Sequence, residues 1–345
     1  MEPLKLDIVI ATRNRRDALE LSIPLLLSQS RKPERLIVVD SSDDPGAIES
    51  VVRPLADQSP VPIELIRSRP GSALQRNVGL SKVSSDVVFF PDDDSLVSPN
   101  ALEALMRIYE LDAEGVIGGV CTAEARRPPK SIMERAITAY RMSLFDRFKL
   151  KVASKHQALE AKLMPSPFIL HGQSCWNVRP APSWLPRENA VLVEWMTGFR
   201  MSFRTQVIRR SGFDETLGRY ALFEDVDASF SVMKDHLVVG THNAETFHYK
   251  APGRRDSGRT LGVSQILNRA YVTCRHAEPS SAARAQLMPY SIYKVAQYAV
   301  GATSRFGRDK LNGALRAIQC VPELRRTPSS ELRRKFLELR EYCLR

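Results

Sequence analysis

The stretch DVVFFPDDDSLVSPN, Asp86–Asn100, decides the fold. A short run of Val and Phe leads into three adjacent aspartates, Asp92, Asp93 and Asp94, and then into a polar segment that opens a helix. An apolar run without alternation marks a strand covered on both faces. In extended backbone, residues two apart point the same way, so Asp92 and Asp94 share one side and Asp93 takes the other. Two convergent carboxylates without a cation would force one to keep a proton. A divalent cation removes that penalty, and Mg²⁺ typically takes one or two carboxylates and fills its remaining positions with water and phosphate oxygens. The plainer alternative is a solvated acidic turn, with Ser95 or Ser98 capping the next helix. The position at the carboxyl end of an apolar strand favours the metal.

Working outward, the first 120 residues alternate between two periods. Leu6–Ala11, Arg35–Asp40, Ile63–Arg67, Asp86–Pro91 and Val116–Val120 read as strands. Arg16–Gln29, Gly46–Ala56, Ser72–Lys82 and Asn100–Leu111 read as helices. This alternation predicts an α/β fold with a mostly parallel central sheet flanked by helices, whose ligands bind beyond the carboxyl ends of the strands. The polar clusters Thr12-Arg13-Asn14 and Asp40-Ser41-Ser42-Asp43 fall at such ends. The expected organisation is a domain over 1–250 with a helical and loop insertion at about 125–187, then a basic helical region over 251–345.

With 345 residues, 43% hydrophobic, the chain can build a substantial core. Its net charge of +11 suits anionic partners. The five cysteines are odd in number and form no CxxC, which argues against a disulfide framework or structural zinc and fits a reducing cytosol. No basic-then-apolar leader and no long apolar run is read, so neither a signal peptide nor a transmembrane helix is predicted. The expected location is the cytoplasm. The basic insertion and the C-terminal helices, with Tyr290, Tyr293 and Tyr298 among apolar residues, suggest peripheral contact with the anionic inner face of the membrane.

A second acidic cluster, Glu224, Asp225 and Asp227, precedes a helical stretch. Acids in a first helical turn complement the helix dipole, and one of them can instead serve as a general base if an acceptor hydroxyl comes within hydrogen-bond reach.

Seven elements occur in order: IVIATRNR (Ile8–Arg15), LIVVDSSDD (Leu36–Asp44), GSALQRNVGL (Gly71–Leu80), FFPDDDS (Phe89–Ser95), VEWMTGFRMSFR (Val193–Arg204), GFDE (Gly212–Glu215) and FEDVD (Phe223–Asp227). Together they resemble the GT-A-fold family 2 glycosyltransferases, particularly bacterial rhamnosyl- and galactosyltransferase-like members, over roughly residues 5–250. The resemblance implies a Rossmann-like GT-A fold and inverting transfer from a nucleotide-diphosphate sugar to a hydroxyl of a glycan or lipid-linked acceptor. It implies Mg²⁺ or Mn²⁺ on Asp94 with Asp92, and Asp225 as the base. It makes Asp40, Thr12, Arg13, Arg76, Asp93 and Gly198 expected nucleotide-sugar contacts, and Trp195 and Glu224 expected acceptor contacts. His248 matches a downstream histidine near the metal, and Arg255 and Arg259 would meet phosphate.

Each has a plainer alternative. Asp40 can start an Asx turn, and Arg76 can be a surface charge. Gly198 can serve a turn, Trp195 can fill the core, His248 can be structural, and the arginines can form a solvated loop. The membrane-embedded processive members carry QxxRW, whereas Gln265 here is followed by Ile-Leu-Asn-Arg-Ala. The family's common Leu before the metal motif is Pro91. The competing readings are a sugar-phosphate nucleotidyltransferase, disfavoured by the glycine-free ATRNRRDA, and a non-catalytic basic binding protein. No RNP, KH or P-loop pattern supports nucleic acid.

Overall fold

The computed structural model describes residues 3–132, 179–251 and 256–345. They form two compact units: 3–129 with 179–251 and Asp256, and 257–345 with Lys130–Ile132. Most of the expected insertion lies outside the described residues.

The first unit is organised by a nine-stranded sheet. Its strands are β1 Leu6–Thr12, β2 Arg35–Asp40, β3 Ile63–Arg67, β4 Val87–Phe90, β5 Ser95–Val97, β6 Ile117–Glu124, β7 Ala190–Leu192, β8 Met201–Arg204 and β9 Leu237–His248. The order is β3-β2-β1-β4-β8-β6-β9-β5, with β7 against β9. The β3-β2-β1-β4 half is parallel, and β8 then runs antiparallel to both β4 and β6. Ile8–Ile10, Leu36–Val39 and Val87–Phe90 are fully buried, as strands covered on both faces must be. The covering helices are α1 Arg16–Leu27, α2 Pro45–Gln58, α3 Ser72–Lys82 and α4 Ala101–Leu111. Two further helices, α5 Thr205–Ser211 and α6 Glu224–Val232, follow β8.

β1 lies between β2 and β4, so the connections leave it in opposite directions. This is the switch point of an open α/β sheet, where a crevice forms beyond the strand ends. A parallel bridge between Ala11 and Asp92 brings the aspartate triplet to that crevice. β4 stops at Phe90 because Pro91 offers no N–H to continue the ladder. α3 reaches the same place through close contact: a Cβ on Gly79 would stand 2.2 Å from Val9 Cγ1. Gln75 Nε2 then donates to the carbonyls of Thr12 and Val39 at 2.8 and 2.7 Å, tying the helix to the ends of β1 and β2.

The second unit is helical: α7 Gly258–His276, α8 Ala282–Ala285, α9 Leu287–Val300, α10 Arg305–Arg326 and α11 Leu332–Leu344. α7 and α10 meet backbone to backbone, since a Cβ on Gly262 would stand 2.0 Å from the Lys310 carbonyl oxygen. Tyr271 stacks on Phe336 at 4.3 Å between α7 and α11. The four described cysteines are free thiols, and Cys320 and Cys343, distant in sequence, have their sulfurs 3.5 Å apart. Cys175 lies outside the described residues. Among the described residues no helix is long and apolar enough to cross a membrane.

Candidate active site

The aspartate triplet lies in a turn rather than in extended chain, with the Ser95 N–H donating to the Asp92 carbonyl at 3.1 Å. Asp92, Asp94 and His248 each offer a ligand atom, and these atoms lie within 4.8 Å of one another. His248 ends β9, and the β5–β9 register places it opposite Ser95. Its ring stacks on Phe199 at 4.6 Å, and its Nε2 stands 3.3 Å from Asp94 Oδ1. Asp94 Oδ2 accepts from Arg15 Nη1 at 3.0 Å and from the Ala251 N–H at 2.9 Å. Asp94 Oδ1 is buried and, apart from the His248 Nε2 it faces, has no hydrogen-bond partner. Burial opposes ionisation of Asp94, but His248, Arg15 and the Ala251 N–H outweigh it and hold the pKa below the usual value. Burial likewise opposes a charged His248, and Asp94 and Asp92 outweigh it, so that pKa is raised. A buried carboxylate oxygen beside a second carboxylate and an imidazole is a donor set that fits a divalent cation.

Asp93 shares Arg15 Nη1 with Asp94 but is otherwise held by the wall. Its Oδ2 accepts from Thr12 Oγ1 at 2.9 Å, its Oδ1 from Arg15 Nη1 at 2.9 Å, and its carbonyl from Ser22 Oγ at 2.8 Å. Burial pushes its pKa up to about 7 against the pull of Arg15.

Arg76 joins the two acidic clusters. It is buried rather than a surface charge. Its Nη2 donates to Asp92 Oδ1 at 2.6 Å, and its Nη1 pairs with Glu224. Glu224 is itself buried, and its Oε2 accepts from Ser72 Oγ at 3.0 Å. Both Glu224 oxygens are therefore engaged in the wall. Its neighbour Asp225, in the first turn of α6, is held differently. Asp225 Oδ2 accepts from the Gly198 N–H and Oδ1 from the Val226 N–H, each at 2.9 Å. Burial raises its pKa above the usual carboxylate value despite those two bonds. A Cβ on Gly198 would enter the space between Arg76 Nη2 and Asp225 Oδ2, at 3.5 and 3.7 Å. Glycine keeps that space open. Trp195, three residues earlier, is half-buried.

Thr12 is buried under Asp93. Asp40 ends β2, where its Oδ1 accepts from the Ser42 N–H at 2.8 Å, an Asx turn, and its Oδ2 pairs with Arg67. Arg13 reaches Asp43 at 2.8 Å. Arg255 lies outside the described residues. Arg259 belongs to the helical unit, where its Nη1 donates to the Arg345 carbonyl at 3.2 Å. Arg15 is the residue that the sequence reading missed. Its signal was weak: a third polar residue after the β1 end, in a run with two other arginines. Four non-glycine residues at positive φ, Asn14, Ala221, Phe223 and Lys250, lie on the segments that carry these groups, where backbone strain tends to gather.

Residues 7–160 match the model of glycosyl transferase family 2. Over 169 residues the chain is 28% identical to the poly(ribitol-phosphate) beta-N-acetylglucosaminyltransferase TarP of Staphylococcus aureus, covering 44% of this chain and 51% of that one. Over 92 residues it is 37% identical to a galactofuranosyltransferase of Mycolicibacterium smegmatis, covering 25% and 28% of the two chains. The chain thus spans about half or less of the curated relatives it matches. A mannosyltransferase structure from Pyrobaculum calidifontis superposes with a TM-score of 0.52 at 16% identity, covering 100% of this chain and 88% of that one, and so shares the fold. The crevice at the β1–β4 switch point thus lies in the part of the chain that matches glycosyl transferase family 2, on a fold shared with the mannosyltransferase.

Proposed function

We propose that the protein transfers a sugar, with inversion, from a nucleotide-diphosphate sugar to a hydroxyl of a glycan or lipid-linked acceptor in the cytoplasm. The observation that carries the reading is the convergence of Asp92, Asp94 and His248 around the buried Asp94 Oδ1, with Asp225 nearby across Gly198. Asp92, Asp94 and His248 would hold Mg²⁺ or Mn²⁺. When bound, such a cation offsets the charge that develops on the departing nucleotide diphosphate. The mannosyltransferase that shares the fold was solved with GDP-Man and Mn²⁺, which supports this assignment.

The chain's own residues do the rest. Asp225 takes the proton from the acceptor hydroxyl as that oxygen attacks the anomeric carbon. Its raised pKa suits proton uptake, and the Gly198 N–H fixes the orientation of its Oδ2. Arg76 holds Asp92 in place through their 2.6 Å contact and balances the charge of Glu224. Glu224 acts in this way as a positioning residue, and Trp195 lines the acceptor side. Thr12, Arg13, Asp40 and Asp93 border the nucleotide.

A thermal-shift panel of UDP, GDP and dTDP with their sugars, in Mn²⁺, Mg²⁺ or EDTA, tests this reading. A ligand that binds only the folded state raises its apparent stability by mass action. A metal-dependent rise with one nucleotide, lost in Asp94→Ala, is the expected result. A folded protein that responds to no nucleotide overturns it.

A further inference from the structure

We propose that the exposed face of α9 docks on an anionic lipid surface. Two observations carry this, both within the helical unit and both independent of the transfer reaction.

The first is the placement of charge. Residues 257–345 hold 16 Lys and Arg against six Asp and Glu, while residues 1–256 hold 34 against 33. Nearly all of the chain's net charge of +11 therefore sits in its last quarter. From Pro279 to Pro322 there are six basic residues and one acid, Asp309.

The second is an inverted helix surface. The exposed positions of α9 are Pro289, Ile292, Ala296, Ala299 and Val300, and every one is apolar. Their spacing puts them on one side of the helix. A helix on the surface of a soluble domain places polar residues there instead. Ile292 is 57% exposed and Val300 85%. The face continues through the connection to Phe306, 49% exposed in the first turn of α10, where Arg305 and Arg308 are exposed beside it. Lys294 and Lys310 lie elsewhere on the same unit, over the rings of Tyr293 and Tyr298 at 5.6 and 4.0 Å. Tyr290 is not part of this face, because it is buried beneath Arg269.

A shallow strip of small and branched apolar side chains with a basic rim has the chemistry of an interfacial helix. The apolar face enters the boundary between headgroups and acyl chains while the cations meet lipid phosphates. Charge complementarity selects an anionic surface over a neutral one.

The full chain is sedimented with vesicles of phosphatidylcholine alone or mixed with phosphatidylglycerol. Binding is expected only with the anionic vesicles, and it should weaken as salt rises. The double variant Ile292→Glu, Val300→Glu should bind at least about tenfold more weakly, with an unchanged helical spectrum and an unchanged nucleotide-dependent thermal shift. A polarity-sensitive fluorophore on Val300→Cys should shift to the blue on anionic vesicles, which reads the same contact without adding charge. Absence of binding by the unaltered chain overturns the proposal. So does binding that the double variant leaves intact, which would mean plain charge adsorption elsewhere. A concentration-dependent dimer that the double variant dissolves, without vesicle binding, would assign the face to a second copy of the chain and also overturn it.

Discussion

Two pairs of adjacent acids flank the crevice, and within each pair the members have opposite surroundings. Asp93 gives both oxygens to Thr12 and Arg15, while its neighbour Asp94 keeps one buried oxygen with no hydrogen-bond partner apart from the His248 Nε2 it faces. Glu224 gives both oxygens to Arg76 and Ser72, while its neighbour Asp225 takes its bonds from two backbone amides and pairs with no cation among the described residues. Counting carboxylates would treat all four alike. What separates them is whether the fold has already satisfied the group. A satisfied buried acid holds the wall together. An acid left short of a partner is where a ligand or a proton has something to gain.

The sharpest way to break this comparison is Asp225→Asn. Removing a positioned proton acceptor typically costs about 10²–10⁴-fold in turnover. Nucleotide-dependent stabilisation should survive, since Asn keeps a carbonyl oxygen for the Gly198 N–H. The pH profile of kcat/KM adds a second readout. A base must be unprotonated to act, and the Asp225 pKa is raised by burial. Activity should therefore fall on the acid side at a pH above the ordinary carboxylate range, and that limb should be absent from the residual rate of the variant. A variant with wild-type turnover would remove Asp225 from the chemistry.

Glu224→Gln attacks the other member of that pair and should be felt mainly as instability. It leaves the buried Arg76 with Asp92 as its one ion-pair partner among the described residues. Breaking a buried pair by removing one side costs about 3–5 kcal/mol, and the remaining contact with Asp92 puts the expected loss near the lower end. Urea unfolding measures it. A loss of turnover without a loss of stability would instead make Glu224 a direct contact of the substrate.

The parts of this arrangement visible in the sequence are those fixed by local periods. β1 to β4 and the helices between them were legible because near-continuous apolar strands and turn residues are local signals. The two-residue period of extended chain expected from the sequence does not hold at the triplet, which lies in a turn closed by the Ser95 N–H on the Asp92 carbonyl at 3.1 Å. Arg76 was not legible as a buried link, because a helical position alone does not say which face meets the sheet. That is decided by Gly79, whose missing side chain lets α3 settle onto Val9. Arg15 was hidden for a similar reason, since its partners lie 78 and 79 residues away. The three-residue strands β5 and β7 were too short to show a period, and the β5 pairing is what sets His248 beside Asp94.

The smallest expected effect tests the comparison most closely. Asp93→Asn and Asp94→Asn are the same chemical change at adjacent positions. At Asp93 the amide can still accept from Thr12 or Arg15, and burial already favours an uncharged group there, with a pKa near 7. Stability should change by no more than about 1 kcal/mol, and metal-dependent stabilisation by nucleotide should persist. At Asp94 the same substitution replaces an ionised oxygen that has no hydrogen-bond partner apart from the His248 Nε2 it faces with a weaker metal donor, and the metal-dependent shift should be lost. If both variants lost the shift equally, the division of the triplet into a wall and a ligand would be wrong. The three carboxylates would then act as one undivided charge.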